Sequence, residues 1–476
     1  MRVTVIGTGY VGSVTGACLS YLGHQVTCVD TDEAKIARWK LGQSPIYEPY
    51  LDELIALDAR RGGIEFTTEL SEAARASDVI FIAVGTPSLP SGAANLTYLE
   101  AAARNIGAAM DESRFRVVVN KSTVPVGSGN LVETLVREGI ADSHPEARGK
   151  ISFGVASNPE FLREGCAISD SLYPDRIVVG TGDEQTMRVM RDLYRPLIEQ
   201  SFIPPSGVPR PSEMTKAPFV STTLTSAEMI KYASNSFLAM KIGFANEMAN
   251  ICERVGAEAT EVMQGIGLDS RIGPKFLNPG AGWGGSCFGK DIQALLQTAG
   301  EYGYTSRLLQ ATLEVNVAQR QMVIQKLQEK LYILKGRTIG LLGLAFKPDT
   351  DDLRDAPALH IAERLLEMGA RVKAYDPIAM KACRDLHPLL KIRYCDSPRE
   401  TAEESDALVV VTEWNEFRRL PLKELAGVMN KPVLVDGRNI FQPETAVAAG
   451  FDYTGIGRGP VQHLDDKRQA VPSTSL

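Results

Sequence analysis

The chain opens on Arg2-Val-Thr-Val-Ile6 and passes at once into Gly7-Thr-Gly-Tyr-Val-Gly12, and no other feature constrains the fold as tightly. Apolar Val3–Ile6 predicts a short buried strand, and residues 11–22 predict a helix. The GxGxxG motif therefore falls in a strand-to-helix turn. There Gly7 permits the tight turn, Gly9 lets backbone approach a pyrophosphate, and Gly12 lets the helix pack on the strand. The helix N-terminus adds N–H groups and a positive dipole end for phosphate. A second strand over Val26–Val29 leads into Asp30, whose carboxylate can accept hydrogen bonds from ribose hydroxyls and repels a 2′-phosphate. The expected ligand is NAD rather than NADP.

The alternation continues. Strands are predicted over 79–84, 117–119, 151–156 and 177–179, with helical patterns between them. Thr97 with Glu100 reads as a capping box. The turns Gly85-Thr86-Pro87, Lys121-Ser122-Thr123 and Asn158-Pro159-Glu160 follow successive strands, where open α/β sheets bind ligands. Residues 203–225, rich in Pro, Ser and Thr, read as a surface loop or linker. A helical pattern follows over 226–255, roughly 30 residues at 1.5 Å each, or about 45 Å, enough to bridge two domains. A Gly-rich loop over 265–286 precedes helices at 287–302 and 306–334. Strands then resume at 338–344, 372–375, 407–411 and 433–435, with Asp355-Ala356-Pro357 opening a helix. The predicted class is α/β, with two Rossmann-like doubly wound domains joined by a long central helix and a helical middle domain. Its expected boundaries are 1–202 for the NAD-binding part, 203–225 for the linker and 226–335 for the helical dimerisation part. A second Rossmann-like part spans 336–460, and a disordered polar tail spans 461–476.

Bulk properties narrow the function. A formal net charge of −7 without a basic stripe argues against nucleic acid. The seven cysteines are scattered and lack CxxC spacing, which fits a reducing cytoplasm and no structural zinc. The five histidines include no metal-binding pair, so no metal is expected. No apolar run is long enough to span a membrane. The start shows no signal-peptide pattern, and a cytoplasmic location is expected.

A second candidate site is Gly282-Trp-Gly-Gly-Ser-Cys287-Phe-Gly-Lys-Asp291. If a helix starts at Cys287, its thiol lies in the positive end of the dipole with Lys290 one turn away, and both favour thiolate. Asp291 shares the helix face. A thiolate beside a carboxylate suits a nucleophile next to a group that manages a water or a proton. Cys18, Cys28 and Cys252 lie on apolar patterns and are expected to be buried and structural. On the bridging helix, Lys231 and Asn235 are spaced to share a face within a small, apolar run. NAD implies hydride transfer, and a cysteine nucleophile is useful when an aldehyde must go on to an acid. The pair points to alcohol-to-carboxylate oxidation using two NAD.

The chain resembles the UDP-glucose 6-dehydrogenase family over nearly its whole length. The segments that carry the likeness include GTGYVG (7–12), KSTVPVG (121–127), NPEFLREG (158–165), SAEMIKYASNSFLA (226–239), GWGGSCFGKD (282–291) and GLAFKPDTDDLRDAP (343–357). The resemblance implies NAD-dependent four-electron oxidation of UDP-glucose to UDP-glucuronate through an aldehyde, a thiohemiacetal and a thioester. It implies Cys287 as nucleophile, and Lys231 with Asn235 as partners of the developing oxyanion. Asp291 with Thr123 would position a water, and Glu160 would transfer a proton. Cofactor contacts are expected from Gly7, Gly9, Tyr10, Val11, Gly12, Asp30, Lys35, Gly85, Thr86, Ser122, Thr123, Glu160, Lys290 and Arg354. Substrate contacts are expected from Glu160, Phe161, Leu162, Arg163, Lys231, Asn235, Phe276, Gly284, Cys287 and Phe288, and from Lys347 and Arg438 of the C-terminal part. Arg271 would reach the sugar across a homodimer interface built on the bridging helix. The related alternative is GDP-mannose dehydrogenase or another nucleotide-sugar enzyme of the same mechanism. Phe288-Gly289 after the cysteine favours UDP-glucose. A two-electron hydroxyacid dehydrogenase would need neither Cys287 nor a second Rossmann-like part.

Overall fold

The structure, a computed structural model, describes residues 1–87, 89, 92–147 and 149–458. The expected tail 461–476 lies outside the described residues. The chain forms two compact units: Met1–Asn235 with Lys290–Thr305, and Ser236–Gly289 with the chain from Ser306 onward.

The first unit carries eight strands: β1 Arg2–Ile6, β2 Gln25–Val29, β3 Ile64–Thr67, β4 Val79–Ile82, β5 Arg116–Asn120, β6 Phe153–Ser157, β7 Ile177–Gly180 and β8 Phe219–Thr222. Their order is β3-β2-β1-β4-β5-β6-β7-β8, all parallel except the short β6–β7 junction at Ser157 and Gly180. The first six follow the doubly wound dinucleotide-fold order, which reverses direction between β1 and β4. Strand residues point alternately to two covered faces, which is why the strands read as continuous apolar runs. Val3, Val5, Val117 and Val119 pack with Val14 and Leu19 on one face. Ile80, Ile82 and Val118 pack with Leu99, Ile106 and Val136 on the other.

The second unit carries β9 Thr338–Leu342, β10 Arg371–Tyr375, β11 Arg393–Tyr394, β12 Ala407–Val410, β13 Val433–Asp436 and β14 Asp452–Gly455. Their order, β11-β10-β9-β12-β13-β14, repeats the same pattern, all parallel. The turn after β9 is not a GxGxxG turn, yet Gly343 follows β9 with φ +100, as Gly7 follows β1 with φ +97. A side chain at Gly343 would collide with Thr412. The predicted α/β class with two Rossmann-like sheets is therefore the observed one.

The long helix runs Leu224–Val255, 32 residues, and the two units divide it between Asn235 and Ser236. A second helix, Phe288–Glu301, is divided between Gly289 and Lys290. The expected 226–335 segment is thus shared between the units.

Two local expectations need correction. The 203–225 segment is not all linker. Phe219–Thr222 adds β8 to the sheet beside β7, and the long helix already begins at Leu224. A four-residue edge strand among Pro, Ser and Thr leaves little periodicity to read. The Thr97 capping box is absent too: Leu96 is the N-cap and makes no side-chain cap bond. The Asn95 side chain accepts the Thr97 N–H instead, at 3.0 Å.

Candidate active site

In the first unit the β1 turn is as tight as its glycines suggest. A side chain at Gly12 would lie 1.8 Å from the Gly7 carbonyl oxygen, so only glycine lets the helix Tyr10–Tyr21 start there. A Cβ at Gly9, by contrast, would meet nothing within 4 Å, which leaves the backbone open to a diphosphate. Gly85 is open in the same way. Asp30 accepts from the Thr8 amide at 2.9 Å, the Thr8 hydroxyl at 2.7 Å and Lys35 Nζ at 3.3 Å. Burial works against its charge, but the Thr8 and Asp32 hydrogen bonds and Lys35 outweigh it and hold the carboxyl below its ordinary range. A charged carboxylate beside the glycine turn fits an NAD ribose and disfavours a 2′-phosphate. Tyr10, expected at the cofactor, has its hydroxyl bonded to Glu48, while neighbouring Val11 packs against the core.

The strand-end turns are tied to one another. Thr86 Oγ1 donates to the Thr123 carbonyl at 2.7 Å, and Ser122 Oγ donates to the Val84 carbonyl at 2.8 Å. Lys121 Nζ donates to Asn158 Oδ1 at 3.0 Å, and Tyr194 holds the same oxygen at 2.6 Å. Desolvation of the partly buried Lys121 pushes its ammonium down to about 8, against the pull of Glu160 and with the push of Lys231.

Beyond these turns lies a buried ion pair. Lys231 Nζ donates to Glu160 Oε1 at 2.7 Å and to the Glu160 carbonyl at 2.8 Å, and both side chains are nearly fully buried. Glu160 Oε2 accepts the Leu162 amide at 3.0 Å. The Phe161 ring lies under Arg176 and near Lys231. One turn after Lys231 on the long helix, Asn235 Nδ2 donates to Asp291 Oδ2 at 2.6 Å. Asp291 Oδ1 accepts Lys290 Nζ at 2.7 Å. This pairing changes the expectation for Lys290. Its charge is compensated by Asp291, so the first-turn N–H groups become the local source of positive potential at the helix start. Arg163, expected at the substrate, is held by Asp170 at 2.7 and 2.9 Å.

In the second unit Cys287 is exposed and directly precedes the helix Phe288–Glu301, which begins one residue later than the expected start at Cys287. Cys18, Cys28 and Cys252 are buried, as their apolar patterns suggested. The Cys287 loop is anchored from several sides. Asn316 Oδ1 accepts the Trp283 amide at 2.8 Å, and its Nδ2 donates to the Trp283 carbonyl. Arg320 donates to that carbonyl and to Asp355 Oδ1. A Cβ at Gly284 would lie 2.4 Å from the Asp355 carbonyl oxygen, so the loop backbone needs glycine there. Gly285 donates to the Arg354 carbonyl, and Trp283 meets Phe288 edge-on. Asn316 and Arg320 sit on the helix Arg307–Leu331 and carried no sequence signal of their own. Phe276 adopts φ +65 in the same glycine-rich stretch.

At the β9, β12 and β13 carboxyl ends stand Phe346 with Lys347 over its ring, Glu413, and Arg438. Arg438 donates to the Val411 and Gly282 carbonyls at 2.6 and 3.0 Å. It therefore braces the cysteine loop as well as lining the strand ends. Arg354 pairs with Asp352, and Arg271, 87% exposed at its side chain, pairs with Asp269. No group of metal-binding side chains occurs among the described residues.

Family models cover the chain in three stretches. The NAD binding domain of the UDP-glucose/GDP-mannose dehydrogenase family matches residues 1–198, its central domain 225–318 and its UDP binding domain 340–443. The chain belongs to the UDP-glucose/GDP-mannose dehydrogenase family. A UDP-glucose 6-dehydrogenase of Rhizobium meliloti is 47% identical over 96% of this chain and 100% of its own. UDP-glucose 6-dehydrogenase TuaD of Bacillus subtilis is 44% identical over 100% of this chain and 97% of its own. The solved UDP-glucose dehydrogenase of Pyrobaculum islandicum superposes with a TM-score of 0.83 at 38% identity, over 96% of this chain and 97% of that one. The NAD binding domain match covers β1–β7 of the first sheet, and the UDP binding domain match runs from within β9 through β13 of the second; only the first carries the GxGxxG turn.

Proposed function

We propose that the chain is an NAD-dependent UDP-glucose 6-dehydrogenase, and that Cys287 carries the second half of a four-electron oxidation. The observation that carries this reading is an exposed cysteine at a helix start, on a loop anchored by Asn316, Arg320 and Arg438. Bound NAD supplies the hydride acceptor, one molecule for each oxidation. The primary alcohol of the sugar first becomes an aldehyde. The Cys287 thiolate adds to the aldehyde carbon, and loss of a second hydride equivalent leaves a thioester. Water then cleaves the thioester to carboxylate and thiol. Lys231 and Asn235 stabilise the oxyanion of the thiohemiacetal. Asp291, with Thr123, positions the water, and Glu160 accepts and returns protons beside Lys231. Lys347 and Arg438, at the carboxyl ends of the second sheet, suit the diphosphate and nucleotide of the substrate.

Excess NAD with limiting UDP-glucose is expected to yield two NADH per sugar and UDP-glucuronate as product. One NADH per sugar would point to a two-electron dehydrogenase. Turnover of GDP-mannose in preference to UDP-glucose would move the chain to the sister activity.

The same reading includes a homodimer on the long helix. Phe237, Phe244 and Ile251 recur every seven residues and stay 56%, 46% and 46% exposed. Apolar residues at that spacing form a seam for a second helix. Phe244→Glu is expected to shift the protein towards monomer in sedimentation velocity. A wild-type chain that sediments as monomer at micromolar concentration would remove the dimer from the reading. No helix among the described residues is long and apolar enough to cross a membrane.

A further inference from the structure

Asn120 ends β5 and is 2% exposed. Its register neighbours are Ile82 on β4 and Ser157 on β6. Strand alternation puts all three side chains on one face of the sheet. Ile82 offers only carbon, and the Ser157 hydroxyl donates to Glu228 Oε1 at 3.0 Å. Neither the amide nitrogen nor the amide oxygen of Asn120 has a hydrogen-bond partner among the described residues. A buried polar group left unsatisfied costs about 1–3 kcal/mol, and this side chain presents two. Native cores satisfy such groups, often with an ordered water.

The space beside Asn120 suits that ligand. A small cavity is bounded by Asn120, Thr123, Ser157, Pro159, Glu228 and Lys231. Glu228 accepts the Gly127 and Gly129 amides at 2.7 Å each besides Ser157, so it stands there as a carboxylate acceptor. Lys231 brings a cation to the same wall. An anion would meet Glu228 and a metal ion would meet Lys231. A small neutral molecule that both donates and accepts suits a wall that carries the Asn120 amide, the Glu228 carboxylate and the Lys231 ammonium.

We propose that this cavity binds an ordered water, held by the Asn120 amide and reaching Lys231, and that Asn120 is thereby a positioning residue for Lys231. The second half rests on the role given to Lys231 above. Glu160 holds the ammonium through two oxygens, and the water braces it from the Asn120 side.

A high-resolution crystal structure of the full-length protein tests the site directly. The expected result is density for a water within hydrogen-bond distance of both Asn120 amide atoms. A dry cavity, or an amide turned onto a protein partner, overturns the site. Asn120→Leu keeps the bulk and removes both polar atoms. It is expected to lose the water and about tenfold in kcat, with KM for UDP-glucose and Kd for NAD within about twofold. Asn120→Ser keeps a hydroxyl and room for water, and is expected to hold kcat within about threefold of wild type. Equal losses in the two variants, or an Asn120→Leu enzyme as fast as wild type, overturn the positioning role. If Asn120→Leu does not fold, the wild-type density and the serine variant still decide. Absence of UDP-glucuronate formation by the wild type would strike the proposed function and leave the crystallographic result standing.

Discussion

Cys287→Ser is expected to lower kcat for UDP-glucose oxidation by on the order of 10³-fold or more, with Kd for NAD within about twofold. A serine hydroxyl at this position stays protonated at neutral pH. The helix-start N–H groups can stabilise a thiolate but cannot make an alkoxide accessible. The first oxidation, alcohol to aldehyde, needs no nucleophile. A single-turnover experiment on the variant should therefore give at most one NADH per sugar, where the wild type gives two. Because Cys287 is exposed, the exchange should leave the melting temperature within about 2 °C. Full activity in the variant would end the covalent mechanism. Loss of activity together with loss of NAD binding would mean that the substitution had disturbed the fold.

The second large effect concerns the buried pair of Lys231 and Glu160. Lys231→Met leaves the Glu160 carboxylate buried without its 2.7 Å partner, and Glu160→Gln leaves the ammonium. Breaking such a pair from one side costs about 3–5 kcal/mol, because a charge is stranded where water cannot reach it. Each single variant is expected to lose that much stability in urea unfolding, and at least about 10²-fold in kcat. The double variant removes both charges. It should recover most of the stability and none of the activity. That split separates the two roles of the pair: holding the turn after β6 to the long helix, and serving the reaction. A double variant as unstable as the singles would mean that neighbouring groups, Lys121 among them, depend on the pair.

The conformations at Gly7, Gly9 and Gly12 and the place of Asp30 were legible because they are local. A tight turn, an open backbone beside it and a helix packed on its own strand are all settled within a few dozen residues of chain. Cys287 was legible for the same reason, since its place before a helix follows from the sequence around it. Lys231 and Asn235 could be picked out by helical spacing, but their partners could not. Glu160 lies 71 residues from Lys231, and Asp291 lies 56 from Asn235. Lys290 shows the limit from the other direction. Its spacing suggested a cation acting on the cysteine, and the fold pairs it with Asp291. The short strands β3, β8, β11 and β14 escaped notice because they mix polar residues into at most four positions, without the continuous apolar run that marked β4, β7, β12 and β13.

The sequence by itself determined the two doubly wound sheets, the dinucleotide turn at Gly7–Gly12 and the candidacy of Cys287. These depend on backbone sterics, hydrophobic periodicity and helix dipoles, which act over short stretches of chain. Only the tertiary structure decided which charges meet: Lys231 with Glu160, Asn235 and Lys290 with Asp291, Arg163 with Asp170. It also decided that Asn316, Arg320 and Arg438 anchor the cysteine loop, and that the buried Asn120 lines a small cavity beside Glu228 and Lys231. Hydrogen bonds and ion pairs act over a few ångströms, so residues far apart in sequence come within range only after the sheets have assembled.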